Sequence, residues 1–467
     1  MSQAPAQDEL DALIEQLLAA AQPSAVRESA RLLVFDTVGC ALAGMQAPPV
    51  RAFMEQAARL DPGPIPWPGV PAPLGLSVHG AAQVLAMAAC WDEACEGLAY
   101  AHGRPGVPVV AAVLALASST RCTWHQALGA LVLGYEIGGR MGNRLRIKPG
   151  MHVDAGWPAL GAAAAAACLM GGDARAVRSA IEIAAAQLPF GLYLPIAQGA
   201  DGRNTYLGHA ACLGIYAAAA AAAGVCAPRG AVDEHAQVAL SLGPAGVLAP
   251  AGRWLLLEGY LKRWPAVRHV HYGIAAAQAI RMQWPGLQQV HLEPGQVRRI
   301  VLRAYPEALT YCGIRAPRTP IQAQFSLSFG VSVALRFGDL EPQAYRDPIF
   351  SDQGVRELES RVELEPDAEL GTAGQRAVIL DVQDAQGRSM AVRVDTVDGD
   401  PGHPLARAAV RAKFIRCASL LMPSPHAVDA ADSHQGPWAD GNVAVQAWWR
   451  HLAGVSTLVA SSACARP

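Results

Sequence analysis

The chain reads as an α+β protein: a large all-helical domain formed by both chain ends, with a smaller α+β domain inserted between them. Three observations lead there. Apolar residues recur at helical spacing through most of the N-terminal half. Near residue 260 short β-branched runs begin to alternate with helical ones. After Asp398-Gly399-Asp400-Pro401 the pattern turns helical again. The predicted divisions are 1–258 for the first helical part, 259–400 for the α+β domain and 401–467 for the helical return. At 467 residues the chain exceeds one ordinary core. With 52% hydrophobic and only 16% charged residues it can bury a large interior and a subunit interface besides.

In the first part, Leu10, Leu13, Ile14, Leu17 and Leu18 follow helical spacing behind Asp8, a candidate cap. Ser24 opens a second helix. Further helical patterns run through 78–98, 107–118, 124–142, 156–170, 174–187 and 207–224, separated by breakers such as the Pro/Gly-rich stretch Pro62 to Pro73. In the middle part Val297 to Ala304 reads as a strand. Ala377 to Val382 and Met390 to Val394 flank Asp384-Ala385-Gln386-Gly387 as a hairpin, and helices are predicted at 272–283 and 322–336. The return helix runs from Leu405 to Leu421.

Composition removes several classes of function. Net charge is −2 and no basic run occurs, which disfavours nucleic-acid binding. Ten cysteines are scattered without a CxxC pair, as expected of free thiols in a reducing cytoplasm rather than of a metal or redox site. Two long apolar stretches, 156–171 and 210–227, consist mainly of Ala, Gly and Cys; they are expected to be buried helices, not membrane spans. Walker, GxGxxG and GxSxG motifs are absent, so nucleotide, dinucleotide and triad-hydrolase chemistry lack support.

Four clusters could carry chemistry. Asp92 and Glu96 are four apart at the end of an apolar helix, on one face if the helix continues, and His102 follows in a Gly/Pro-rich loop. Desolvated carboxylates there could titrate in a useful range, although a solvated acidic helix end would have the same sequence. His152 stands in a glycine-flanked loop before an alanine-rich helix, placed as an acid or base or as a histidine bonded to its own loop. Arg203, with Tyr206 close behind, offers a guanidinium suited to a carboxylate, or a surface cap. Lys262, Arg263, Arg268, His269 and His271 crowd the junction of the two predicted domains, where ligand sites concentrate.

Taken in order, these segments resemble the MmgE/PrpD family over nearly the whole chain. Arg31 to Gly44 is similar to its N-terminal helix and Gly134-Tyr135-Glu136 to a later landmark. Gly208-His209-Ala210-Ala211, Trp264-Pro265 and Lys413-Phe414 through Cys417 fall where further landmarks are expected. The resemblance implies a helical domain plus a smaller α+β domain, a cytoplasmic homodimer, and no metal or other cofactor. It also implies proton chemistry on a small polycarboxylate, as in 2-methylcitrate dehydratase, cis-aconitate decarboxylase and iminodisuccinate epimerase. Carried over residue by residue, it assigns catalytic roles to Asp92, His102 (with Arg104 competing for that position) and His152. It assigns substrate binding to Arg203, Lys262, Glu96, Tyr206 and His271. Glu96 replaces a threonine of the family pattern, Arg203 and Tyr206 replace a lysine and a histidine, and Phe329 replaces a tyrosine. The expected activity is that of a dehydratase. Decarboxylation, epimerisation, or a non-catalytic carboxylate-binding dimer are the alternatives.

Overall fold

The computed structural model describes residues 5–463, except 69–74, 244–245, 285–290, 375 and 440. Part of the Pro/Gly-rich connector predicted from Pro62 to Pro73 therefore lies outside the described residues.

The helical part begins with α1 (Pro5–Ala19), α2 (Ser24–Gly44) and α3 (Pro48–Leu60), then a short strand β1 (Pro62–Ile65) bridged to Leu76. It continues through α4 (Val78–Cys90), α5 (Gly106–Ser119), α6 (Trp124–Arg144), α7 (Pro158–Leu169), α8 (Ala174–Ala185), α9 (Leu194–Gln198), α10 (Tyr206–Ala222) and α11 (Ala231–Glu234). Local sequence sets several of these starts. Ser77 accepts a hydrogen bond from Gly80 N at α4, Thr123 and Gln126 form a reciprocal capping pair at α6, and Asp173 accepts from Ala176 N at α8. Helix α1 already begins at Pro5, so Asp8 lies inside the helix rather than ahead of it.

Helix α7 explains why the apolar stretches are alanine-rich. It is buried from Pro158 to Ala167 on all sides, and α6, α8 and α10 all pack on it. A Cβ added to Gly161 would lie 2.6 Å from Gly134 O of α6, and one added to Gly214 of α10 would lie 2.6 Å from Ala162 Cβ. Only small side chains allow three neighbours to approach one helix so closely. The segment Asp201–Ala222 is long and apolar enough to cross a membrane by length and composition alone. In this structure it packs against α4, α7 and α8.

The α+β part holds α12 (Arg268–Gln283), β2 (Val297–Ala304), α13 (Pro306–Cys312), α14 (Pro320–Gln324), α15 (Leu327–Phe337), α16 (Gln353–Ser360), β3 (Val362–Pro366), β4 (Val378–Asp384) and β5 (Ser389–Val394). The sheet order is β3-β2-β4-β5, with β2/β3 parallel and the other pairs antiparallel. On β4 the side chains of Val378, Leu380, Val382 and Asp384 turn inward in strict alternation. Asp384 closes the predicted hairpin by accepting from Gln386 N and Arg388 N, with Gly387 at φ +83. The helix predicted over 322–336 is instead two helices. Ser326 breaks it by accepting a hydrogen bond from Phe329 N and capping α15.

The chain then returns through α17 (Arg407–Ala418), α18 (Ser424–Asp432) and α19 (Val445–Ala463). Phe414 stacks on Phe35 with ring centroids 4.1 Å apart, and Trp448 meets both Phe35 and Trp124. Two apolar cores result. One runs from Leu10 to Leu256 and resumes at Val410, and the other runs from Trp264 to Val397.

Candidate active site between the two cores

A cavity of about 640 Å³ opens between the cores, within the usual range for small-molecule sites. Its walls carry six basic side chains (Arg104, Arg146, Arg203, Lys262, Arg268 and Arg376) and four acidic ones (Glu93, Glu96, Asp154 and Glu307). His102, His152, His269, Tyr193, Tyr260 and Tyr311 complete its polar lining.

The end of α4 decides which acid enters. The helix stops at Cys90, so the predicted continuation to residue 98, and with it the shared helical face of Asp92 and Glu96, is not formed. Glu93 takes a left-handed backbone (φ +54) with its N–H on Cys90 O. That turn sends two adjacent acids in opposite directions. Asp92 points away from the cavity to Arg346 of the α+β part, its two oxygens 3.1 and 3.0 Å from Nη2. Burial pushes the Asp92 carboxyl up, and Arg346 offsets this in part. Asp92→Asn is therefore expected to lower stability by about 1–3 kcal/mol by weakening this inter-core contact. The pH–rate profile should stay unchanged; a urea titration beside that profile checks both halves.

Glu93 enters the cavity. Its Oε1 lies 2.7 Å from Lys262 Nζ, which also donates to Glu93 O at 2.9 Å. Its Oε2 accepts from Arg104 Nη1 at 3.1 Å and from Arg203 Nη2. Burial alone would raise this carboxyl, but Arg104, Arg203 and Lys262 hold it well below its ordinary value. Arg104 also pairs with Asp154, whose carboxyl is lowered in the same way against its burial. Arg203 is 1% exposed, yet its Nε and Nη1 have no hydrogen-bond partner. Nη1 is 3.7 Å from Asp154 Oδ2, an ion pair without a hydrogen bond. Two buried donors thus remain available on a guanidinium that lines the cavity.

His152 lines the same wall. Its Nδ1 accepts from Asp154 N at 3.2 Å, so the neutral ring carries its proton on Nε2. Burial lowers it to about 4, despite Asp154 and with help from Arg203 and Arg104, so the ring is neutral at pH 7. His102 lies at the rim, in a left-handed conformation (φ +53) that ends the short turn Ala99–Ala101. Its ring makes no hydrogen bond among the described residues, and burial, then Arg146, lowers its pKa. Glu96 is buried on the inner wall. Its Oε1 accepts from Gly106 N at 2.8 Å and Val107 N at 3.3 Å, at the start of α5.

Two residues assigned to binding do not line the cavity. Tyr206 donates to Leu192 O at 3.2 Å, and its ring stands 5.9 Å from that of His152. His271 is fully buried, with Nε2 3.1 Å from Ala266 O and Nδ1 3.2 Å from Arg268 Nη1; it supports the start of α12. Phe329 belongs to the second core, stacked on Tyr345. The assigned residues brought together are Glu96, His102, His152, Arg203 and Lys262. Sequence reasoning assigned no role to Glu93, Asp154, His269 or Arg376. Asp154, two residues from His152, carried the clearest available signal.

Behind Lys262, Lys413 of α17 joins the parts that build the wall. Its Nζ pairs with buried Asp36 of α2 at 2.7 Å and donates to Ala94 O and Lys262 O at 2.7 and 2.8 Å. Among the described residues no group of three or more His, Cys, Asp or Glu is placed to hold a metal ion.

No curated protein matches the chain. The MmgE/PrpD N-terminal domain matches residues 8–243 and the MmgE/PrpD C-terminal domain matches residues 264–433. The second match includes α17 and α18, which return to the helical core. With both domain types matched in order and a helical core joined to a small mixed sheet, the chain belongs to the MmgE/PrpD family, a family that includes enzymes such as dehydratases.

Proposed function

We propose that the protein is a lyase that removes a proton next to a carboxylate of a small polycarboxylate, with loss of water as the first-choice reaction. The observation that carries this reading is the pair of Arg203 donors without a hydrogen bond, beside a neutral His152 in a half-open, cation-rich cavity. Arg203 and Lys262 would anchor a carboxylate. Six basic against four acidic lining residues suit an anionic ligand, and Arg376, also in the lining, would offer a second carboxylate contact. His152 would present Nε2–H to the charge that develops when the proton leaves, as a neutral hydrogen-bond donor. His102, neutral and unbonded, would be the base. Acid, base and cations are all supplied by side chains, so the proposal includes no cofactor. It takes the working form to be a cytoplasmic homodimer.

The test is incubation in D2O with citrate-like, aconitate-like and hydroxy- or amino-succinate compounds, followed by NMR. Deuterium uptake with alkene formation is expected. His102→Ala should slow uptake by about 10²–10⁴-fold and His152→Ala by about 10²–10³-fold. Carbon dioxide or an inverted centre would identify decarboxylation or epimerisation instead. Binding without uptake would leave the carboxylate-binding scaffold, and wild-type uptake in both variants would remove the assigned roles.

A further inference from the structure

Glu96 stands in the wall between two cavities. Behind it lies a second, smaller space of about 70 Å³, bounded by Ser29 and Leu33 of α2, Tyr135 of α6, Tyr260 and Leu405. That volume is enough for ordered water, and the polar groups at its edge could hold it. Glu96 and Tyr260 are the two residues that line both spaces.

The two oxygens of Glu96 are treated differently. Oε1 is fixed by the amides of Gly106 and Val107. Oε2 is buried with no partner in hydrogen-bond geometry, and the Tyr135 phenol at the edge of the smaller space is close enough to interact with the carboxyl group. A buried carboxylate with one oxygen unsatisfied is costly, whereas a carboxylic O–H in the wall between two spaces is a donor that can serve a ligand's oxygen. The titratable and charged groups around it are Cys95 on its own loop, Arg104, Tyr135 of α6, and Tyr260; α2 contributes Ser29 and Leu33, which carry no charge. Arg104 is already engaged by Glu93 and Asp154.

We propose that Glu96 is the proton donor of this site, giving its proton to the leaving group of the bound substrate and recovering one from water in the smaller cavity. This rests on the lyase reading above. In a dehydration, the C–H proton passes to His102 and its electron pair forms the alkene. The C–O bond breaks, and the departing oxygen takes the Glu96 proton and leaves as water. Glu96, now a carboxylate, is reprotonated by a solvent proton relayed through the water behind it, and His102 returns its proton to solvent at the rim, so that no net charge is left in the site. The charge state agrees. Burial first, then Cys95, push the Glu96 carboxyl up to about 8, against the Gly106 amide, Arg104 and the Val107 amide.

Two measurements decide it, and the first needs no substrate. The infrared difference between wild type and Glu96→Gln at pH 7 should contain the carbonyl stretch of a protonated carboxyl group, lost on titration above pH 8. Carboxylate bands in its place overturn the proposal whether or not any substrate is found, while failure of the D2O panel alone removes only the lyase reading. On a substrate identified by that panel, Glu96→Gln should keep deuterium uptake but lose elimination by about 10²–10⁴-fold. The alkaline limb of its kcat/KM profile should vanish with it. Glu96→Asp, which keeps an acid, should restore the limb and part of the rate. Unchanged elimination with an unchanged limb in Glu96→Gln overturns the proposal, even if the carboxyl is neutral.

Discussion

Lys413→Met is expected to destabilise the helical core by about 3–5 kcal/mol, the usual loss when one member of a buried ion pair is removed. The lysine is enclosed with Asp36 between α17 and α2, and its remaining donors are used by Ala94 O and Lys262 O. The variant leaves an acid and two carbonyl oxygens without their donor. Burial already pushes the Asp36 carboxyl up, and Lys413 is the chief influence opposing this. Without the lysine Asp36 rises further. An acid with a raised folded-state pKa binds more protons folded than unfolded, so stability falls as pH climbs from its ordinary 3.8 through its folded value. The deficit should therefore be larger at pH 8 than at pH 5. Asp36→Asn combined with Lys413→Met should recover part of the loss, because no charge is then stranded. Urea midpoints of the four proteins at both pH values supply the cycle; additive losses would show that the pair is not coupled.

Arg203→Ala is expected to lower kcat/KM by about 10²–10³-fold, roughly the effect of deleting one preorganised donor from an active site. Glu93 would keep Arg104 and Lys262 as partners, so the wall should persist. Arg203→Lys should recover less than its charge suggests, since an ammonium cannot reproduce the two idle N–H directions of the guanidinium. A steady-state comparison of the three proteins on one substrate checks this. Equal kcat/KM in all three would contradict the placing of the substrate carboxylate at Arg203.

Periodicity carried the helices well because their apolar spacing is local information. The predicted patterns at 107–118, 124–142, 156–170, 174–187 and 207–224 each fall within a residue or two of an observed helix. The strand Val297–Ala304 and the hairpin turn at Asp384 to Gly387 were legible for the same reason. β3 was not. Val-Glu-Leu-Glu-Pro is short, and its partner β2 lies about sixty residues away, outside any local window.

The site was legible in its residue types and less so in their directions. His102, His152, Arg203 and Lys262 do line one cavity. Asp92 and Glu93 are adjacent acids after the same helix, and the choice between them is made by one left-handed residue that no periodicity announces. His269 and His271 present the same difficulty. At the start of α12 the first faces the cavity and the second is enclosed by Ala266 and Arg268. Asp36 and Lys413 are 377 positions apart, and only their assembled surroundings show that they belong together.

The three-way contact of Glu93 sets how the pocket treats anions at this wall. A resident side chain already balances much of the local charge of Arg104, Arg203 and Lys262. A halide or phosphate reaching that wall would meet charges that Glu93 has already offset in part. Selection then falls to direction: a ligand gains most by seating an oxygen on the N–H groups that Glu93 leaves open, which favours a shaped organic acid over a small mobile ion.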